Sequence, residues 1–367
     1  MKAYLTHVEL LIERGYSVAA ARKGMPKTIV MPGVQIKLSL IDRFPILTTK
    51  KMEWKAIVTE LLWFLRGDTN IKYLLDNGCN IWNNNAYGWY IYQCSVNNQI
   101  AMTKEDFITA VKNLTYADLA NKAMLDYAVG DLGMVYGHFW RKGFGMDQFQ
   151  NLIDNIQSNP TSRYHNVLSW SPQLTNKDLS AQPNCHIYFQ VHVRTLSTSS
   201  REDLLKRKLG TKTLDVLSPK HLKELLDIND IPKNGITIDV VQRSADYFLG
   251  VPFNLSSYAA LANIIGLLTN TLPLRMVWNG LDVHLYENHI DLAKMQATRE
   301  VKPLPILGMQ LEDKPVTPII DVLLNREPWM KTTVNDFMAH VNPNTFQLID
   351  YVSHPAIKGE LSTGTLV

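Results

Sequence analysis

Two short runs of this chain carry residues that could do covalent chemistry. SAQPNCHIYFQ (180–190) holds Cys185 beside His186, and QRSADYFLGVPFN (242–254) holds Arg243, Ser244 and Asn254. A thiolate adds to electron-poor carbon and leaves again, which splits one hard step into two easier ones. Alone, Cys185 would more often be a small buried hydrophobe. Its neighbours change the balance, because Arg163, Arg243 or His186 nearby would lower the thiol pKa. Arg22, Arg163 and Arg243 each stand near Ser, Gly or Pro at a loop or strand edge. There a guanidinium fork can grip phosphate with paired, charge-assisted bonds. Any one of them alone would be an ordinary surface arginine. The Asn254 amide can read the edge of a nucleobase. Together the two runs suggest covalent chemistry on a nucleotide. A P-loop is excluded, since no GxxxxGK[ST] occurs.

Further polar groups sit in apolar surroundings. Glu60 lies inside TELLWFLRGDTN; if buried, its pKa rises and it becomes a proton shuttle, and otherwise it marks the edge of the apolar stripe. His284 and Tyr286 in DVHLYENH are two apart, so on a strand they share a face and can grip a sugar hydroxyl or simply bond each other. Trp82 and Asn85 in NIWNNNA can pack a flat ligand ring, though Trp82 also suits a core or a subunit interface.

The elements that must position these groups are visible as patterns. Leu5, Val8, Leu11 and Ile12 mark a helix that Gly15 ends, and a strong helix spans about 52–66. Helices are also expected over 147–158 and 254–268. Strands are expected over 28–40, 164–170, 186–193, 236–241 and 276–286. Residues 86–128 read as an inserted subdomain or lid, and 194–234 as a second insertion. Irregular mixing of strands and helices argues for an α+β fold. The 367 residues, 46% hydrophobic and 19% charged, bury an ordinary globular core. A net charge of +3 without a basic stripe argues against nucleic-acid binding. Three scattered cysteines give neither a disulfide framework nor a zinc pair and suit a reducing cytoplasm. The N-terminus is no signal peptide, and no apolar run reaches membrane-spanning length.

FPILTTKK, TELLWFLRGDTN, GDLGMVYGHFWR, the PTSR turn, NCHIYFQ, QRSADYFLGVPFNLSSYA, DVHLYENH and KPLP follow one another in the chain. In that order they resemble the folate-dependent thymidylate synthase family, which includes the pyrimidine deoxynucleotide hydroxymethylases. The resemblance covers one catalytic domain, 1–367, apart from the two insertions. It implies a mixed sheet packed with helices, in an obligate homodimer built through the sheet. It makes Cys185 the nucleophile for C6 of the pyrimidine and sets Glu60, Tyr136 and His186 in the polar network around it. It assigns the phosphate to Arg22, Arg243 and Ser244, with Arg163 reaching across from the partner subunit. Asn254 would read uracil, and therefore dUMP. His284 and Tyr286 would hold the 3′-hydroxyl. The cosubstrate 5,10-methylenetetrahydrofolate would meet Trp82, Asn85, Asp246, Leu249, Gly250, Phe253 and Val367, with no metal.

Several residues depart from the family pattern. Tyr164 follows Arg163 where a second arginine is usual, and Asn184 stands where proline usually precedes the cysteine. The loop RKGMPKT lacks the usual Thr-Gly repeat, and the tail GELSTGTLV is longer and more polar than usual. A polar tail that closes loosely over the folate would admit water to the methylene intermediate. The sequence therefore leans toward a dUMP hydroxymethylase, of the kind found in viruses that modify their DNA, with thymidylate synthase as the alternative. A non-catalytic nucleotide- or RNA-binding relative is the remote third reading.

Overall fold

The computed structural model describes residues 1–20, 24–120, 129–212, 214 and 218–360. In chain order the elements begin with α1 (Lys2–Arg14), β1 (Tyr16–Val18), β2 (Thr28–Ser39), α2 (Trp54–Leu65) and α3 (Lys72–Asp76). Next come α4 (Asn83–Val96), α5 (Lys104–Asn113), α6 (Tyr116–Ala120), α7 (Tyr136–Lys142), α8 (Gln148–Ser158) and β3 (Asn166–Leu168). β4 (His186–Thr195), α9 (Thr198–Leu209), α10 (Pro219–Ile228), β5 (Asn234–Asp246), α11 (Gly250–Thr269) and β6 (Thr271–Tyr286) follow. The chain then forms α12 (Ile290–Ala297), β7 (Ile306–Met309), β8 (Thr317–Pro318), α13 (Ile319–Leu324), α14 (Val334–His340) and β9 (Phe346–Ile349). This is an α+β fold.

One six-stranded sheet runs β1-β2-β6-β5-β4-β3, and a small sheet runs β8-β7-β9. Every pair in the large sheet is antiparallel except β5 with β6, which are parallel. Parallel neighbours need a crossover, and α11 supplies it. Along β5, Ile236, Ile238, Val240 and Gln242 turn inward while alternate residues turn outward, as period-two geometry requires. α11 lies across the inner faces of β5 and β6 and also meets α2 and α8. Nearly all of its residues from Leu255 to Thr269 are buried, so it serves as the centre of the core. Its length and composition would suit a membrane span, contrary to the expectation that no such run exists. Its burial inside the protein explains the apolar character instead.

Local signals account for most helix ends. Asp147 caps α8, Ser197 caps α9, and Ser218 caps α10 just before Pro219. Gly210 closes α9 in the left-handed region, at φ 66°. Three boundaries differ from the sequence pattern. α11 starts at Gly250 rather than 254, because Pro252 falls in its first turn, where no amide donor is needed. β6 starts at Thr271 rather than 276, because Pro273 falls where the register with β5 shifts. The strand expected over 164–170 shrinks to the three residues of β3.

α4 and α5 do not stand apart as a lid. Trp89, Tyr90, Cys94, Phe107 and Val111 are buried in the main core. α9 and α10 behave differently: Leu196, Leu204, Leu205, Leu226 and Ile231 form their own cluster against Leu274 and Leu324. Leu261→Ala in α11 is therefore expected to cost about 2–5 kcal/mol of global stability, measured by urea unfolding. Leu205→Ala should open α9 and α10 to protease while leaving the main unfolding midpoint nearly unchanged. Equal losses in the urea midpoint would show that the two clusters unfold as one.

Candidate active site

Strand register brings the chemically active runs together. His186 on β4 lies opposite Gln242 on β5, Ser244 lies opposite Asp282 on β6, and Asp246 lies opposite His284. β2 completes the row, with Val30 opposite His284 and Thr28 opposite Tyr286. Segments separated by about forty to more than two hundred and fifty residues in sequence thus share one end of one sheet.

Cys185 is half-buried just before β4. Its amide donates to the Tyr136 hydroxyl at 2.8 Å, and its carbonyl accepts from the Arg243 amide at 2.8 Å. The Arg243 guanidinium donates Nε to the Asn184 carbonyl and Nη2 to the Pro183 carbonyl, each at 2.8 Å. It also lies over the Trp170 ring, 4.9 Å from the centroid. A cation is therefore clamped beside the nucleophile by the backbone that leads into it. Asn184 is buried and donates Nδ2 to the Ser169 carbonyl at 2.7 Å. Its Oδ1 is buried without a hydrogen-bond partner among the described residues. Arg163 is exposed on the turn before β3, and Tyr164 beside it is 82% exposed.

His186 is buried, with Nδ1 2.9 Å from the Tyr258 hydroxyl and its ring stacked on Tyr136 at 4.0 Å. Burial lowers its pKa to about 3, so the ring is neutral at ordinary pH. It does not supply the positive charge that the sequence allowed it to lend the thiol. Burial drives Glu60 the other way, up to about 7, with a smaller opposing effect from the Trp82 indole. That indole donates to Oε1 at 2.7 Å and orients the carboxyl. Trp82 packs between Trp63 and Tyr136, which links Glu60 to the Cys185 neighbourhood.

Asn254 is held in one orientation by a chain of amides. The Trp278 indole can only donate, and it donates to Gln242 Oε1 at 2.9 Å. Gln242 must then turn its NH2 outward, and it donates to Asn254 Oδ1 at 3.1 Å. This fixes Oδ1 of Asn254 toward Gln242 and directs its Nδ2 elsewhere. Gln242 and Trp278 are buried, so water does not loosen the chain. Sequence reasoning passed over both, although Gln242 directly precedes Arg243 in the same run. Tyr258 and Trp170 were also missed, because their spacing in sequence carries no sign of their proximity to Cys185; Gln182 was missed although it lies three residues before Cys185 in the same run.

The remaining candidates among the described residues lie on or beside these elements. Asp246 Oδ1 accepts from the amides of Phe248 and Leu249, both at 3.1 Å, and so orders the turn that leads into α11. Leu249, Gly250 and Phe253 form the half-buried first turn of that helix. His284 has Nδ1 3.1 Å from Asp282 Oδ1, and its ring meets Tyr286 edge-on at 5.4 Å. Asn85 donates to Gln182 Oε1 at 2.6 Å. Arg22 and Val367 lie outside the described residues. No group of three or more potential metal ligands occurs among the described residues.

A family model described as thymidylate synthase matches residues 2–363. Curated proteins named thymidylate synthase match as well. That of Mycoplasma genitalium is 38% identical over 301 residues, covering 82% of this chain and 86% of the relative. That of Malacoplasma penetrans is 34% identical over 362 residues, covering 99% of this chain and all of the relative. That of Wigglesworthia glossinidia brevipalpis is 32% identical over 368 residues, with 99% and 100% covered.

The raised pKa of Glu60 has a measurable consequence. Its folded value, about 7, lies above the 4.5 of an ordinary glutamate, so in that window the folded state holds a proton the unfolded chain has released. This contribution to stability is present below the lower value and is lost as pH rises through the upper one. Glu60→Gln should reduce the loss of unfolding free energy between pH 5 and pH 8 by on the order of 3 kcal/mol. Identical pH dependence in the two proteins would mean that the carboxyl titrates normally.

Proposed function

The chain belongs to the thymidylate synthase family, and we propose that it converts dUMP to dTMP with release of dihydrofolate. Family membership makes it a folate-dependent one-carbon transferase with 5,10-methylenetetrahydrofolate as cosubstrate. The observation that carries the substrate reading is the locked amide of Asn254. With Oδ1 fixed by Gln242, Nδ2 offers a donor for uracil O4, while the second lone pair of Oδ1 can accept from N3–H. Cytosine presents a donor and an acceptor in the opposite order. To read it the amide would have to turn over, and the Trp278–Gln242 chain resists that.

The chain's own groups account for the nucleotide chemistry. The Cys185 thiolate adds to C6, and the electron pair of the C5=C6 bond moves toward O4, where the Asn254 N–H stabilises it. C5 becomes electron-rich and forms the new carbon–carbon bond. When bound, the folate supplies the one-carbon unit and, for the methyl product, the hydride that reduces it. Loss of the C5 proton, with cleavage of the bond between the one-carbon unit and the folate nitrogen, would leave an exocyclic methylene on the ring; hydride addition to it would then expel the thiolate from C6 and release the product. Glu60, half protonated near neutral pH, holds a proton within reach of the same buried network. Arg243 and Ser244, set beside each other on β5, serve the phosphate, and His284 with Tyr286 serves the sugar. The half-buried Trp82, Leu249 and Phe253 are flat or apolar surfaces suited to the folate rings.

The relatives support reduction of the methylene intermediate over its hydration. Proteins named thymidylate synthase match this chain over essentially their whole length. The insertions and tail therefore do not set it apart from them, and the lean toward hydroxymethylation gives way. A homodimer, with Arg163 entering the partner's phosphate site, accounts for an exposed arginine on the turn before β3. Free thiols at Cys79, Cys94 and Cys185 support a reducing, cytoplasmic setting.

Purified protein given dUMP and methylenetetrahydrofolate should yield dTMP and dihydrofolate in equal amounts, resolved by mass spectrometry. Recovery of 5-hydroxymethyl-dUMP with tetrahydrofolate would overturn the reductive reading. Cys185→Ala should abolish turnover and covalent capture of 5-fluoro-dUMP. Asn254→Asp should move the preference toward dCMP, and Trp278→Phe should weaken base discrimination by releasing Gln242. Unchanged dUMP selectivity in both Asn254→Asp and Trp278→Phe would remove Asn254 from base recognition.

A further inference from the structure

Two amides form a chain that ends on the nucleophile: Gln182, which has no role above, and Asn85, which the sequence assigned only to the folate. Asn85, in the first turn of α4, donates Nδ2 to Gln182 Oε1 at 2.6 Å, and Gln182 Nε2 lies 3.8 Å from Cys185 Sγ. The order of atoms matters. With Oε1 occupied by the Asn85 donor, the end of the Gln182 amide that faces sulfur is its NH2. An N–H directed at sulfur favours the thiolate, whereas a carbonyl in the same place would accept the S–H proton and favour the thiol. We propose that Gln182 is a positioning residue that stabilises the Cys185 thiolate, and that Asn85 sets the direction of its amide. The inference rests on the reading of Cys185 as the nucleophile.

The electrostatic setting gives this bond something to do. The titratable groups around Cys185 are Tyr136 on α7, His186 on β4 and Arg243 on β5, with Glu60 on α2 reaching it through Tyr136 and Tyr258 on α11 through His186. Glu60 and Tyr136 are acids, and neither favours a second negative charge beside it. His186 and Tyr258 are buried groups held neutral. Arg243 is the cation of the group, and its Nε and Nη2 are already engaged by the carbonyls of Asn184 and Pro183. A neutral donor aimed at sulfur adds to what Arg243 provides. Gln182 is also well placed to be tested, because its backbone is held separately. Its amide donates to Ser180 Oγ at 3.3 Å, and its carbonyl accepts from the same hydroxyl at 2.9 Å. Loss of the side chain leaves those bonds in place.

The test is the pH dependence of Cys185 alkylation by iodoacetamide in the full-length protein without substrate, followed by mass spectrometry of the Cys185 peptide. Gln182→Leu should raise the midpoint by about one unit, which is about tenfold less thiolate at neutral pH. Asn85→Leu separates orientation from packing without adding charge. With no donor on Oε1, the Gln182 amide is free to turn its carbonyl toward sulfur, and the midpoint should rise by a smaller amount. A purely structural role predicts no movement of either midpoint. Unchanged midpoints in folded Gln182→Leu and Asn85→Leu would overturn the proposal; should Gln182→Leu fail to fold, the Asn85→Leu midpoint alone decides it. Because no turnover is measured, the outcome is independent of the product assignment. Shifted midpoints in a protein that does not act on dUMP would sink the proposed function and keep this inference, and the converse pattern would sink the inference alone.

Discussion

The parallel pairing of β5 with β6 is the constraint on which the site depends. It sets Ser244 against Asp282 and Asp246 against His284, and β4 adds His186 against Gln242. A slip of one residue in any of these pairs would turn every active side chain to the opposite face of the sheet. The register holds because the inner face is continuous core: Ile236, Ile238, Val240, Met276 and Trp278 pack beneath α11. The crossover helix therefore does two things at once. It makes the parallel connection possible, and its buried face penalises any other register.

Burial then gives similar groups opposite tasks. The same removal of water that lifts Glu60 to about 7 lowers His186 to about 3. One becomes a group that exchanges a proton near neutral pH, and the other becomes a neutral hydrogen-bonding ring. Positive charge near the nucleophile comes instead from Arg243, held by carbonyls at 2.8 Å and by the face of Trp170. Direction is supplied by groups with a single hydrogen-bonding sense. The Trp278 indole only donates, and so it orders Gln242 and Asn254 in turn.

The surroundings of Cys185 are more polar than the apolar core beneath them. Asn184 is buried with an unpartnered Oδ1, and a buried carbonyl left without a donor costs free energy. Gln182 adds an amide 3.8 Å from the sulfur, and Asn85 adds another behind it. Such groups are tolerated where each is tied to backbone or to another amide. Here the Asn184 side chain is tied to the Ser169 carbonyl, and the Gln182 side chain to Asn85.

Much of the molecule was legible before its fold was known. The helices at 2–14, 54–65 and 148–158 follow from apolar spacing and end residues, because those signals are local. The chemical types at Cys185, Glu60, Arg243 and Asn254 point to a nucleotide because thiol, carboxyl, guanidinium and amide have few substitutes for those tasks. The small sheet of β7, β8 and β9 was not foreseen, since strands of four, two and four residues leave almost no periodicity. The α4–α5 region looked separable in sequence but shares the main core, because composition does not say which surface a helix will cover. What the sequence by itself determined was the set of reacting groups and most of the elements that bear them. Only the tertiary structure decided that His186 is neutral, that Glu60 is half protonated near pH 7, and that Asn254 and Gln182 each face one way. Those properties depend on distance to water and on single hydrogen bonds between residues far apart in the chain, and neither leaves a trace in local spacing.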